Sequence, residues 1–230
     1  MSDVIKIVNF IRSRGLNHRQ FQAFLEEISA EYDDVPYFSQ VRWLSAGRVL
    51  KRFYELRKEI EQFLLSKDQP TAVFSESERL SELAYLADIT AHLNGLNTQL
   101  QGKNNLVTHL MDLITAFESK LDLWNRQLKN EDFTHFPCLA KCKTPESAMK
   151  FSAALVDIKL EFVSRFQDFR ASGNVLKTFA SPFTVDIDTV PGYLQLEVLE
   201  IKANSELMDI FNDRNNTLIE FYSKFVTQEK

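Results

Sequence analysis

A chain of 230 residues, 44% hydrophobic and 26% charged, has the composition of one or two folded domains with a sizeable core, not of a disordered or fibrous protein. Its formal net charge of -5 excludes a uniformly basic nucleic-acid binder, so contact with a polyanion needs a local cationic patch. No apolar run approaches the roughly 18 residues of a membrane span. The N-terminus also lacks a signal-peptide h-region, and two cysteines are too few for a disulfide scaffold, which fits a reducing intracellular compartment.

Six glycines and six prolines favour long helices over tight hairpins. Val4, Ile7, Val8 and Ile11 recur at helical spacing, and Gly15 is the expected stop. Asn17 is placed to cap a second helix with Phe21, Phe24, Leu25 and Ile28 inside. Asp33-Asp34-Val35-Pro36 ends it. Residues 37–44 alternate enough for a short extended segment. Ser45 then reads as the cap of a helix whose buried stripe is Val49, Leu50, Phe53, Leu56, Ile60, Phe63 and Leu64.

Lys67 to Ser75 is a polar connection. Leu86, Ile89, Leu93, Leu96 and Leu100 form the cleanest stripe in the chain. After the polar run Gln101–Asn105, a second stripe follows through Leu106, Leu110, Leu113, Phe117, Leu121, Trp124 and Leu128. An antiparallel hairpin of these two helices would remove most of that surface from water. Each large apolar side chain so buried contributes about 1.5–3 kcal/mol, which outweighs any polar motif nearby.

Residues 130–145 form an irregular link. Thr144 and Pro145 start a helix through Leu155, Ile158, Phe162, Phe166 and Phe169. A break at 179–183 precedes Val185 and Ile187, which alternate with Asp186 and Asp188 as in a short strand. Thr189, Val190 and Pro191 lead into a helix with Leu194, Val198 and Ile201. Leu218, Phe221, Tyr222 and Phe225 mark a last one.

Few residues suggest chemistry. His135, Cys138 and Cys142 are three ligands at an unusual spacing where structural zinc takes four, and local packing is the favoured account of them. No metal set or other cofactor is assigned. Asp186 and Asp188 would share one strand face, but no third acid joins them for metal-dependent phosphoryl transfer, and a solvated edge explains the pair as well. The chain contains no glycine-rich phosphate loop, HExxH or CxxC. No catalytic residue is assigned.

Cations gather around the third helix: Arg42, Arg48, Lys51, Arg52, Arg57 and Lys58, interrupted by Glu55 and Glu59. Trp43 stands beside them. Bases stack on indole and phosphates pair with guanidinium, so Arg42, Trp43, Arg48, Lys51 and Arg52 form a candidate nucleic-acid-binding set. The same residues fit a solvated helix face and a core tryptophan.

The ordered stretches Phe24-Leu25-Glu26-Glu27, Tyr37 to Phe53, Leu86 to Asn94, Leu100 to Lys103, Leu123 to Leu128, His135-Phe136-Pro137, Arg165 to Phe169 and Ser181 to Asp186 resemble domesticated hAT-superfamily transposases. The similarity is to zinc-finger BED-domain and general transcription factor II-I repeat-containing proteins. It covers nearly the whole chain. The resemblance implies a helical insertion domain interrupting an RNase H-like core, with Arg42 and Trp43 matching the segment that handles a flipped base. It also implies that the catalytic acids would fall before Met1 and after Lys230, and that Asp186 and Asp188 do not replace them.

The expected fold is mainly α, a multi-helix insertion domain with fragments of an interrupted RNase H-like fold and one or two short strands. The expected segments are 1–75 with residual core features, 76–176 as the insertion-like domain, and 177–230 returning towards the incomplete core. The expected function is a nonenzymatic, transposase-derived interaction module, with the nucleus favoured over the cytoplasm. A protein partner or DNA is the expected ligand, with no membrane, and no oligomeric state is assigned. Residual nucleic-acid binding through the Arg-Trp segment and a partial gene product without independent role are the alternatives.

Overall fold

Apolar residues at three- and four-residue spacing are driven out of water, and here helices bury them against one another. The computed structural model describes residues 1–36, 43–102, 106–213 and 216–224, and every regular element among them is helical. In chain order the α-helices are α1 (Ser2–Arg12), α2 (Gly15–Glu27), α3 (Trp43–Glu55), α4 (Arg57–Leu65), α5 (Ala72–Ser75), α6 (Ser77–Leu100) and α7 (Val107–Lys129). They continue with α8 (Pro145–Arg165), α9 (Gln167–Ala171), α10 (Gly173–Ala180), α11 (Gln195–Ala203), α12 (Ser205–Asn212) and α13 (Leu218–Lys224). Single 3-10 turns lie at Leu139–Lys141, Ile187–Thr189 and Gly192–Leu194.

The chain divides into two compact units, one of Met1–Lys103 and Ala116–Leu160, the other of Asn104–Thr115 and Glu161–Lys230. In the first, among the described residues, α3 and α6 share the most extensive helix–helix contact. Gly47 makes that approach possible: a Cβ there would overlap the side-chain amide of Asn94 and lie 3.2 Å from the Thr90 carbonyl oxygen. Val49, Leu50, Phe53, Leu56, Ile60, Phe63 and Leu64 are all buried, as their periodicity requires. Phe53 stacks on Phe74 of α5 at 5.6 Å, and Phe21 of α2 meets Phe63 of α4 edge-on at 5.1 Å. On α8, Phe151 stacks on Tyr85 of α6 at 4.4 Å. Ser152 donates to Asn125 of α7 at 2.5 Å.

Three helices close in the same way without glycine. After α2, α4 and α7 the chain turns through Ser29, Asp68 and Glu131 at φ of 51°, 51° and 56°. Ala30, Gln69 and Asp132 then donate their N–H to the carbonyls of Leu25, Leu64 and Gln127, each at 2.9 Å. This is the Schellman arrangement, which satisfies carbonyls that the helix end leaves open. Gly15, expected to stop α1, instead begins α2.

In the second unit Val185, Val190 and Val198 are buried together, with Ile187 and Leu194 packed against them. Phe183, Phe211 and Phe221 form an aromatic cluster, with centroids 5.2 Å apart for the first pair and 5.0 Å for the second. Tyr222 stacks on Phe179 at 4.3 Å and donates its hydroxyl to that residue's carbonyl at 2.9 Å.

The expected RNase H-like fragments are overturned. Such a fold is α/β, and the described residues contain no strand. Residues 185–188 alternate because they enter a 3-10 turn. The Asp186 carboxylate accepts the Asp188 N–H at 3.1 Å, and Thr189 donates its hydroxyl to the Asp186 carbonyl at 2.7 Å. Such local side-chain bonding competes with a sheet ladder for the same backbone groups. Of the other expected strand, 37–42 lie outside the described residues, while Trp43 and Leu44 are the first residues of α3.

Two glycine substitutions should move stability in opposite directions. Gly47→Val forces a branched side chain against Asn94 and the Thr90 carbonyl, and should cost about 1–3 kcal/mol. Gly95, exposed within α6, has nothing within 4 Å of a built Cβ. Gly95→Ala should therefore gain about 0.5–1 kcal/mol from helix propensity. Urea midpoints of the two variants against the parent check both signs.

Candidate functional site

Helix α3 presents its cations in two ways. Arg42 lies outside the described residues, and Trp43 is described only as the first residue of the α3 backbone. Arg48 and Lys51 are exposed, and neither has an ion pair or hydrogen bond among the described residues. Arg52 turns inward instead. Its guanidinium sits 3.6 Å from the centroid of the Tyr32 ring, donates to the Asp34 carbonyl at 3.3 Å and lies 3.7 Å from the Glu55 carboxylate. Arg57 likewise lies over Tyr54 at 4.3 Å and donates to that residue's carbonyl at 2.8 Å.

Asp34 is the anchor on the other side of Arg52. Its carboxylate pairs with Arg12 of α1, contacts His18 of α2 at 2.7 Å and accepts from the Val35 N–H at 2.8 Å. One short acidic segment thus ties three helices together. Arg52 belongs to that scaffold, while Arg48 and Lys51 stay on open surface.

A second junction forms where the 130–145 link meets α6. Asp88, only 5% exposed, accepts the Cys138 N–H at 2.9 and 3.2 Å and the Leu139 N–H at 3.0 Å. It thereby satisfies the open donors that begin the Leu139–Lys141 turn. Burial pushes the Asp88 pKa up, with those N–H donors pulling the other way. One helical turn on, His92 donates Nε2–H to the His135 carbonyl at 2.8 Å. Its ring stacks on Trp124 of α7 at 4.1 Å and meets Phe136 edge-on at 5.7 Å. From α3, the Tyr54 hydroxyl donates to the Cys138 carbonyl at 2.8 Å. Burial raises that phenol well above its usual range.

The cysteines belong to the same junction. Cys138 is buried, and burial together with the Asp88 charge pushes its thiol up to about 12. A thiol so protonated is a small packing group, not a nucleophile. The Cys142 sulfur lies 3.9 Å from the Leu80 carbonyl and 3.7 Å from the Cys138 carbonyl. Among the described residues no three His, Cys, Asp or Glu side chains converge on a metal position. Neither Asp88 nor His92 was singled out for a role from periodicity. The available signal was an acid and a histidine four apart on one face of an otherwise apolar helix, which need buried partners.

The stretches Leu86 to Asn94, Leu123 to Leu128 and His135-Phe136-Pro137 thus meet at one junction through Asp88, His92, Trp124, His135 and Phe136. The sequence model of the FAM200-GTF2IRD2-like family, described as the FAM200/GTF2IRD2 helical domain, matches residues 1–129. The chain belongs to this family. It is 40% identical over 208 residues to the general transcription factor II-I repeat domain-containing protein 2 of Bos taurus, covering 90% of this chain and 22% of that protein. To the protein of the same name in Mus musculus it is 38% identical over the same length and shares. The chain therefore spans about a fifth of the length of these curated relatives. No solved structure matches.

This FAM200/GTF2IRD2 helical domain is a transposase-derived helical module, as the resemblance to general transcription factor II-I repeat-containing proteins implies. The matched residues run from α1 to the end of α7. They include both anchors, Asp34 and Asp88, and both open cations, Arg48 and Lys51.

The His92 junction makes stability depend on pH. Burial lowers the His92 pKa from its ordinary 6.5, because the stacked, half-buried ring is favoured neutral. The unfolded chain then binds more protons than the folded one. Stability from this residue is present above 6.5 and is lost as pH falls from there towards the folded value. His92→Gln should lower stability at pH 7.5 by about 1–2 kcal/mol through the lost stack, and should flatten the loss between pH 7.5 and 5. Denaturant midpoints across that range, parent against variant, check both effects.

Proposed function

We propose that this chain, similar to general transcription factor II-I repeat domain-containing protein 2, is a nonenzymatic helical interaction module acting in the nucleus. One observation carries the reading. The polar residues of the family-like stretches, Asp88 and His92, are spent on backbone partners, so these stretches hold a scaffold together. A scaffold closed by its own polar contacts leaves its outer face free to carry a binding site.

The test has two arms. A tagged full chain should accumulate in nuclei and cross-link there to a protein partner through the helices of the first unit. Incubated with transposon-end DNA and magnesium or manganese, the purified chain should leave the DNA intact. Cleavage or joining in either metal would overturn the nonenzymatic reading.

A second reading, contact with nucleic acid, is favoured by the exposure of Arg48 and Lys51 without partners among the described residues. On this reading, Arg48→Ala with Lys51→Ala should leave the melting temperature nearly unchanged, within the effect of about 0.5 kcal/mol typical of surface changes. It should reduce the slope of log affinity against log salt for duplex DNA by about 2, since two phosphate contacts go. Arg52→Ala should do the reverse. It should cost about 1–2 kcal/mol of stability by removing the Tyr32 stack and the bond to Asp34, and leave the salt slope unchanged. Salt-independent binding, or an unaltered slope in the double variant, rules the surface out.

A further inference from the structure

Helix α8 buries one face and leaves an unexpected second one open. Ala148, Phe151 and Leu155 are buried, with Phe151 stacked on Tyr85. On an adjoining side Met149 is 78% exposed, Val156 39% and Leu160 63%, and Ala153 between them is exposed too. The spacing of these four is four, three and four residues, so they form one straight row about 16 Å long. That is the a/d spacing of a helix-pairing seam, and it suits knobs from a second helix lying along it. An extended peptide would match only every second residue to such a row.

The charges beside the row choose the occupant. On one edge stand Glu146 and Asp157, both exposed, with Lys150 between them. Lys150 is already held by Glu78 at 2.8 Å and Glu82 at 2.5 Å. Four carboxylates thus face one ammonium group along this edge. On the other edge Lys159 is neutralised by Asp122 at 2.6 Å. The seam is apolar with one strongly negative flank. A second copy of the chain is a poor fit. The antiparallel two-fold pairing that sets Met149 against Leu160, and Ala153 against Val156, would turn the acidic edge onto itself.

We infer that the Met149–Ala153–Val156–Leu160 row of α8 is a docking seam for an amphipathic helix carrying lysines or arginines along the flank that meets Glu146 and Asp157. The inference rests on the interaction-module reading and gives that module a surface and a class of partner. Four side chains make a small interface, so the complex is transient and its electrostatic part weakens with salt.

The probe is a fluorescent helical peptide of about five turns with leucine at a and d positions and lysine at the flanking positions. Its control carries glutamate at those flanks. Anisotropy titrations with the full chain should show the lysine peptide binding at least about tenfold more tightly than the glutamate peptide, with that preference shrinking as salt rises. Met149→Ser with Leu160→Ser should weaken the lysine peptide at least tenfold and leave the circular-dichroism melt in place, because both side chains lie in solvent. Equal binding of both peptides overturns the inference, as does lysine-peptide binding indifferent to the double variant. So does a dimer in sedimentation that the double variant abolishes, since the occupant is then a second copy. If the variant keeps a nuclear partner of the parent chain while no peptide binds, this inference falls and the module reading stands.

Discussion

A carboxylate with almost no access to water must be supplied with donors or be neutralised, and Asp88 is supplied by two consecutive backbone N–H groups. The rest of the first unit depends on how that demand is met. Because the donors belong to Cys138 and Leu139, the link after α7 is drawn onto the side of α6. Once there, Phe136 is fully buried and reaches Tyr85, His92 and Trp124. Each such aromatic contributes a few kcal/mol, so a polar interaction of modest net value positions a much larger apolar one. The geometry that results also sets where α8 begins, a few residues after the Leu139–Lys141 turn.

The polar contacts on the outside have a different weight. Lys150 with Glu78 and Glu82, Lys159 with Asp122, and Arg79 with Glu76 are short pairs between solvent-exposed groups. Screening and side-chain entropy leave such pairs worth little for folding. Their consequence is the pattern of potential they leave on the surface. By contrast Arg52 and Asp34 are half-buried, packed between rings and backbone, and act where the dielectric is lower. The same residue types therefore hold the fold in one place and shape its exterior in another.

What was legible beforehand follows from this division. The buried stripe of α3 and α4 was readable residue by residue, because burial of large apolar groups dominates there and its period is that of the helix. The ends were not. Ser29, Asp68 and Glu131 adopt the left-handed conformation that a reader assigns to glycine, and Gly15 does the opposite. The strand read into Val185–Asp188 failed because two-residue alternation also arises when a side chain caps its own turn, as Asp186 does. In the candidate site, the cationic character of α3 was visible, but its partition was not. Only tertiary contacts with Tyr32 and Asp34 separate Arg52 from Arg48 and Lys51. Likewise, the role of Asp88 depends on residues fifty positions away, which no local pattern contains.

That partition bears on how descent and present use relate in this domain. A residue inherited from a DNA-handling ancestor can persist for two physical reasons, because the surface still meets a polyanion or because the fold would suffer without it. Arg52 satisfies the second condition by itself, through its ring stack and its bond to Asp34, so its presence says nothing about DNA. Arg48 and Lys51 lack the second reason, since no contact among the described residues would be lost with them. The same reasoning separates the two faces of α8. Phe151 and Leu155 are accounted for by the core they fill. Met149 and Leu160 fill no part of that core and stand in water, so covering them with another surface would remove apolar area from solvent.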